Sequence, residues 1–307
     1  MNTHGFPPQL HVFVRDWLSA NNILLKSRDG HVLIDTGYGK HKALTLALVA
    51  SRRGIGGEPL AEVINTHCHS DHFGGNAALA AHYGCPIALP EGEVPVVKAW
   101  DTKALLLDYA GQEADRFHVS RALVAGTSEV WGDLEWKILA APGHAMRAVV
   151  FYNPEHRILI SGDALWENGF GFVMPASMDP LAMPATRATL EMIAGLDVRG
   201  VIPGHGDVFG DPRPALDRAF KRLAAFEADD SRVARTALKA LLTFALLDRQ
   251  RMPLANVTPY LENIGIFRDI NAHCLHLSAE GLTTVLVNDL IKLGAVAVVD
   301  GDLVPAG

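Results

Sequence analysis

The stretch INTHCHSDHFGGN, Ile64 to Asn76, constrains this chain more than any other, because His67, His69, Asp71 and His72 put four metal-capable side chains into six consecutive positions. The run AEVINTH before it reads as a buried strand, and the run FGGNAALAAHYG reads as a helix. In an extended segment residues two apart point the same way, so His67 and His69 can share one ion while Cys68 turns to the opposite face. Asp71 and His72 follow at the turn into the helix, face the same cavity from another side, and can hold a second ion. Gly74 and Gly75 lack a Cβ, which lets the helix start approach the sheet edge closely.

Composition narrows the partners. A formal net charge of -7 over 307 residues supplies no general attraction for phosphate backbones or anionic lipid. Apolar residues make up 49% and charged residues 20%, and no apolar run has the roughly 18 residues a spanning helix needs. A small-molecule substrate is therefore expected, with no nucleic acid and no membrane. Cys68, Cys85 and Cys274 are too few and scattered for a disulfide framework, and the start MNTHGFPPQLHVFVRDW has no export signal. A cytoplasmic location with three free thiols is the expectation.

Along the chain, LHVFVR, NNILLKS and HVLIDTG read as consecutive strands, KHKALTLALVASRRG as a helix and PIALP as a strand. EGEVPVVKAWDTKALLLDYAG is expected to be mostly helical and to form part of a cleft wall. SEVWGDLEWKILAAPGH and AVVFYNPEHRILISGDAL follow as two strand pairs. From Asp211 the texture becomes almost wholly helix-forming, and it closes on a helix with Leu282, Val285, Leu286, Leu290 and Leu293 on one face, then a hairpin, VAVV-DG-DLVP. Two units are expected: 1–210, carrying the site, and 211–307, a helical subdomain resembling a winged helix. The second is assigned to shaping the cleft mouth or to a homo-oligomer contact, and its one basic stretch, DRAFKRL, offers Arg218, Lys221 and Arg222 to an anionic small molecule such as a coenzyme A thioester. HCLH at 273–276 is read as helical packing.

The donor theme recurs. APGHA places His144, ISGDAL places Asp163 and VIPGHG places His205, each at a strand's end. Five imidazoles and two carboxylates suit zinc, with iron or manganese as the other candidates. With these residues in view, the chain resembles the metallo-β-lactamase superfamily, in particular its glyoxalase II-like binuclear hydrolases. His67 to His72 fit the H-x-H-x-D-H motif, and His144, Asp163 and His205 fit the later donors in order, over roughly residues 9 to 210.

That resemblance implies an α/β fold, a four-layer αββα sandwich with metals at one edge. It implies a first ion on His67, His69 and His144, a second on Asp71, His72 and His205, and Asp163 as the bridge. Asp71 and Asp163 are then the candidate catalytic carboxylates, and a hydroxide held between two cations is the expected nucleophile. Asp35, in LIDTG, fits a further motif and is expected to orient a ligand or the adjacent loop. Arg147, just after PGH, is a candidate for an anionic substrate group, and Trp166, Phe170 and Phe172 for an apolar substrate wall.

The leading expectation is hydrolysis of an ester-like bond, thioester or lactone ahead of others. Oxidation at a single iron, as in the similar persulfide dioxygenases, is the alternative. Nuclease or phosphodiesterase activity ranks next, weakened by the short span between Asp163 and His205, and a non-catalytic metal-dependent binder last.

Overall fold

Alternating burial along the strands sorts the chain into layers. The structure, a computed structural model, describes residues 5–306. One sheet contains β1 (Leu10–Phe13), β2 (Asn22–Leu25), β3 (His31–Ile34), β4 (Leu60–Ile64), β5 (Ile87–Pro90) and β6 (Arg121–Leu123), in that order. Pairing is antiparallel from β1 to β3 and parallel from β3 to β6. A second sheet contains β7 (Ser128–Trp131), β8 (Leu134–Ala140), β9 (Val149–Asn153), β10 (Ile158–Gly162) and β11 (Gly200–Pro203), ordered β11-β10-β9-β8-β7. A two-residue Gly-Asp turn joins β7 to β8, with Gly132 and Asp133 both at positive φ, as the twist of a two-residue hairpin requires.

In β3, Val32 and Ile34 pack between the sheets with Trp136, Ile138, Phe151 and Ile160. Leu33, one residue out of phase, packs on the other face with Val49 and Leu79. Val49 belongs to α1 (Lys42–Ala50); Leu79 lies in α3 (Asn76–Tyr83), which follows the single turn α2 (Ser70–Phe73). With α4 (Val94–Ala99) these form one outer helical layer. On the other outer face α5 (Ala182–Ala194) and α6 (Arg213–Glu227) cover Val150, Leu159 and Val201. The result is the expected αββα sandwich. Trp136 is fully buried at its centre, where truncation to alanine costs about 3–5 kcal/mol.

The remaining helices are α7 (Asp230–Arg249), α8 (Leu254–Asn263), α9 (Gly265–Ile270) and α10 (Ala279–Lys292). They share a separate core that includes Leu238, Leu242, Phe267 and Leu286. The terminal hairpin forms as β13 (Val296–Val299) and β14 (Asp302–Pro305), and a short β12 (Met252–Pro253) pairs with β14 to make it three-stranded. Although α6 lies after residue 210, it packs into the sandwich; α7 to α10 share the separate core.

Two local expectations fail for physical reasons. The stretch 91–111 holds only α4 and two single turns, Glu91–Glu93 and Asp108–Ala110. Trp100 and Leu106 adopt positive φ, and the Asp101 carboxylate accepts from the backbone N–H groups of Lys103 and Ala104, an alternative to helical pairing. Leu293 is 67% exposed, because α10 ends at Lys292 and the chain turns at Gly294. Among the described residues no helix is long and apolar enough to cross a membrane.

Candidate metal centre

Strand ends deliver the donors. β4 stops at Ile64, the chain bends at Thr66 and His67, and His69 is extended just before α2 begins at Ser70. Cys68 is buried on the opposite face with Phe73 and Leu79, as alternation requires. The helix start sits tight against the preceding loop: a Cβ on Gly75 would lie 2.6 Å from the Thr36 carbonyl oxygen. β10 ends at Gly162, just before Asp163, and β11 ends at Pro203, two residues before His205. A side chain on Gly204 would overlap Asp163 Oδ1, so that carboxylate can reach the site only past a glycine.

The seven residues fall into two groups, His67 with His69 and His144, and Asp71 with His72, Asp163 and His205, each with donor atoms within 4.8 Å of one another. Asp163 lies against both: its Oδ2 is 3.3 Å from His144 Nε2, and its Oδ1 is 3.4 Å from His72 Nε2. His205 Nε2 is 3.0 Å from Asp71 Oδ2. These distances place Asp163 between the groups and Asp71 on one side.

Hydrogen bonds around the rim set which imidazole nitrogen faces inward. His144 Nδ1–H donates to the Phe172 carbonyl at 2.6 Å, which leaves Nε2 as the lone pair. The Thr66 hydroxyl donates to Asp35 Oδ2 at 2.8 Å, so its oxygen is free to accept from His67 Nδ1, 3.1 Å away, and His67 Nε2 turns inward bare. His72 Nδ1–H donates to Asp35 Oδ2 at 2.7 Å. Its buried Nε2 has no hydrogen-bond partner among the described residues. Meanwhile His69 Nδ1 lies 3.1 Å from His67 Nε2 and 2.8 Å from His144 Nε2. Three ring nitrogens that converge at these distances, two of them bare, beside an unpartnered His72 Nε2 and two carboxylates make a nitrogen and oxygen donor set that fits two divalent metal ions.

Asp35 does the orienting. It also accepts from Thr66 N at 2.9 Å, and it holds this geometry at φ 56, a left-handed backbone that a non-glycine residue adopts at some cost. Burial pushes the His69 pKa down to about 3, with His144 adding to the effect, and lowers those of His67 and His144. Neutral imidazoles are the form that coordinates. Burial opposes charge on His72 too, but Asp163, Asp35 and Asp71 outweigh it and raise its pKa well above the usual histidine value. Asp163 is held well below the carboxylate range by His72 and His205 despite its burial.

Above the donors lies a cavity of about 270 Å³. Its apolar walls include Trp166, Phe170 and Phe172 from the loop after β10, and Leu241, Phe244 and Leu247 from α7. Phe172 lies parallel to the His69 ring, and Trp166 Nε1–H donates to Asp163 Oδ1 at 3.1 Å. Phe170 is 1% exposed and serves the core behind the wall as much as the cavity. Arg147 is placed elsewhere: it does not line this cavity, and its Nε–H pairs with buried Glu93 at 3.0 Å.

One lining residue carries no mark in the sequence. Trp17, 56% exposed, stacks parallel on His205 at 5.6 Å and meets Trp166 edge-on. Nothing in RDWLSANN marks it. Leu106, from the stretch expected to form part of a cleft wall, Gln112 just beyond it, and Arg222 of the basic stretch also line the cavity. The α7 residues did leave a trace, since LKALLTFALL is apolar on more than one helical face, and a helix buried on two sides has two things to cover.

Residues 15–205 match the metallo-beta-lactamase superfamily. The chain belongs to this superfamily. Acyl-coenzyme A thioesterase MBLAC2 of Gallus gallus is 27% identical over 241 residues, which is 74% of this chain and 86% of that protein. Hydroxyacylglutathione hydrolase of Bdellovibrio bacteriovorus is 29% identical over 115 residues, 36% of this chain and 37% of its own. A metallo-beta-lactamase family protein from Thermus thermophilus shares the fold across 97% of this chain and 99% of its own, with a TM-score of 0.58 at 20% identity. That match to a superfamily structure includes the helical C-terminal region.

Proposed function

We propose that the chain is a hydrolase of thioesters that works with two divalent ions, zinc favoured. His67, His69 and His144 would hold one, Asp71, His72 and His205 the other, with Asp163 between. The observation that carries this reading is that two donor groups sharing one carboxylate open directly into an apolar cavity. The names of the relatives, one an acyl-coenzyme A thioesterase and one a hydroxyacylglutathione hydrolase, support thioester over lactone. A single-iron site would leave one of the two groups without a task.

A pair of divalent cations supplies Lewis acidity and makes water nucleophilic at neutral pH. The residues of the chain do the rest. Phe172, Leu241, Phe244 and Leu247 receive the acyl group and keep bulk water from the carbonyl. Trp166 fixes Asp163 through its indole N–H, and Asp35 fixes His72 and, through Thr66, His67. Asp71 Oδ2, at the cavity floor beside His205, is the carboxylate oxygen placed to take the proton released when water adds to the carbonyl. The C–S bond then breaks and the thiolate leaves toward the mouth.

The basic stretch DRAFKRL does not make a continuous face: Arg218 donates to the Glu167 carbonyl at 2.8 Å, and Arg222 turns into the cavity. Small substrates, not nucleic acid, fit that arrangement. Metal analysis of protein purified without added metal, followed by a panel of thioesters, lactones and phosphodiesters, tests the reading. Close to two ions per chain and the highest kcat/KM on a thioester are expected; one ion under metal-replete conditions, or a lactone or phosphodiester preferred, overturns it.

A further inference from the structure

Arg222 is a cation without a counter-ion inside an apolar cavity. It projects from α6 into the space above the donors, where its neighbours are the Phe170 and Phe226 rings, 4.9 and 5.1 Å from the guanidinium carbon. Its one hydrogen bond is from Nη1 to the Phe170 carbonyl at 3.1 Å, and among the described residues no carboxylate lies within ion-pair distance. Three other arginines of this chain have acid partners: Arg187 pairs with Glu227, Arg147 with Glu93, and Arg121 with both Glu62 and Glu129. Burial pulls the Arg222 pKa below the usual arginine value, with no acid offsetting it. Desolvating a guanidinium without a partner is costly, and the fork still has donors to offer.

Its position says where an anion would lie. Arg222 grips the Phe170 carbonyl, and the next residue, Gly171, donates its N–H to the Asp163 carbonyl at 2.8 Å. The loop that Arg222 grips is thus tied to Asp163, and its next member, Phe172, belongs to the wall that receives the acyl group in the reading above. A bulky polar thiol leaves through the open mouth and has no reason to turn inward.

Resting on the thioesterase reading, we propose that Arg222 binds a carboxylate at the far end of the acyl group, so that half-thioesters of short dicarboxylic acids are the preferred substrates. The guanidinium accepts the carboxylate through charge-assisted hydrogen bonds, and the apolar walls cover the methylenes between.

Succinyl-coenzyme A and butyryl-coenzyme A share chain length and leaving group and differ in that carboxylate. With metal-replete full-length protein, kcat/KM for the succinyl substrate should exceed that for the butyryl by about tenfold or more. In Arg222→Leu the ratio should fall to about one, and Arg222→Lys, which keeps the charge without the fork, should retain a preference of about threefold. A wild-type preference for butyryl, or variants that lower both substrates by the same factor, overturns the proposal and leaves Arg222 holding the loop at Phe170. So does competition by free coenzyme A that weakens in Arg222→Leu, which would put the anion on the leaving group. If neither thioester is turned over, the thioesterase reading fails by itself. Calorimetric binding of succinate against butyrate then decides: a preference for succinate that vanishes in Arg222→Leu upholds the anion site, and equal binding refutes it.

Discussion

The floor and the roof of the cavity are built in opposite ways. The floor comes from loops at the ends of β4, β10 and β11 and the loop after β8, and three of its imidazoles have a partner behind them that holds their angle: Asp35 for His72, Thr66 for His67, the Phe172 carbonyl for His144. The roof comes from one face of α7, whose opposite face is committed to a different hydrophobic core. It is fastened to the sandwich by Phe244 edge-on against Tyr38 and by the Lys40–Asp248 pair at 2.6 Å. Rigid strand ends suit a site where small displacements cost reactivity, while a docked helix can vary to suit the acyl group without disturbing the donors.

If that division holds, the largest effects lie in the floor. Asp163→Ala removes the carboxylate common to both groups, so metal content should fall from two toward one and kcat/KM by about a hundredfold or more. Metal analysis beside kinetics checks both halves; a variant with two ions and near-normal rate shows that Asp163 does not bridge. Asp35→Asn leaves every donor in place but replaces the carboxylate behind His72, and affinity for one ion should weaken by about 10–100-fold, read by competition with a chelator. Unchanged affinity would mean that the hydrogen bonds around Asp35 serve only the fold.

A roof variant should look different. Phe244→Ala is expected to raise KM about tenfold for acyl chains long enough to reach α7, while both ions remain bound. Loss of metal on this change would collapse the distinction between floor and roof.

The same division explains what could be read in advance. Donors are legible because coordination needs particular residue types at short spacing, and His67 to His72 satisfy it within one turn of chain, as do the glycine-flanked His144, Asp163 and His205. Individual strands were legible because runs such as Val32, Leu33 and Ile34 are apolar and bounded by polar residues, while their arrangement into two sheets was implied only by the family resemblance. The roof was legible only as a unit at the cleft mouth and not by residue, since Leu241, Phe244 and Leu247 form the same kind of stripe that any buried helix carries, and only tertiary docking decides which stripe faces the site. Trp17 was invisible for that reason too, and of the three basic residues in DRAFKRL only docking shows that Arg222 is the one that faces the cavity. Arg147 shows the converse: an arginine next to a donor in sequence, but directed to Glu93 in space.

That last pair supplies the smallest predicted effect on the cavity and the clearest effect outside it. Glu93 is 2% exposed, and burial raises its pKa while Arg147 draws it back. Arg147→Met strands the carboxylate, and stability at neutral pH should fall by about 2 kcal/mol, toward the lower end for a broken buried pair because the arginine is partly solvated. A carboxyl whose folded pKa lies above its unfolded value contributes full stability below the unfolded pKa and loses it as pH rises through the folded one. Removing Arg147 raises the folded pKa further, so the gap between variant and wild type in urea melts should be small near pH 4 and widen toward pH 7. A second substitution, Glu93→Gln, should restore much of the loss by replacing the stranded charge with a neutral amide. KM should stay within about threefold throughout, since Arg147 does not line the cavity. A tenfold rise in KM with no pH-dependent loss of stability would return Arg147 to the substrate, and with it a second cation for the anion that Arg222 is proposed to bind.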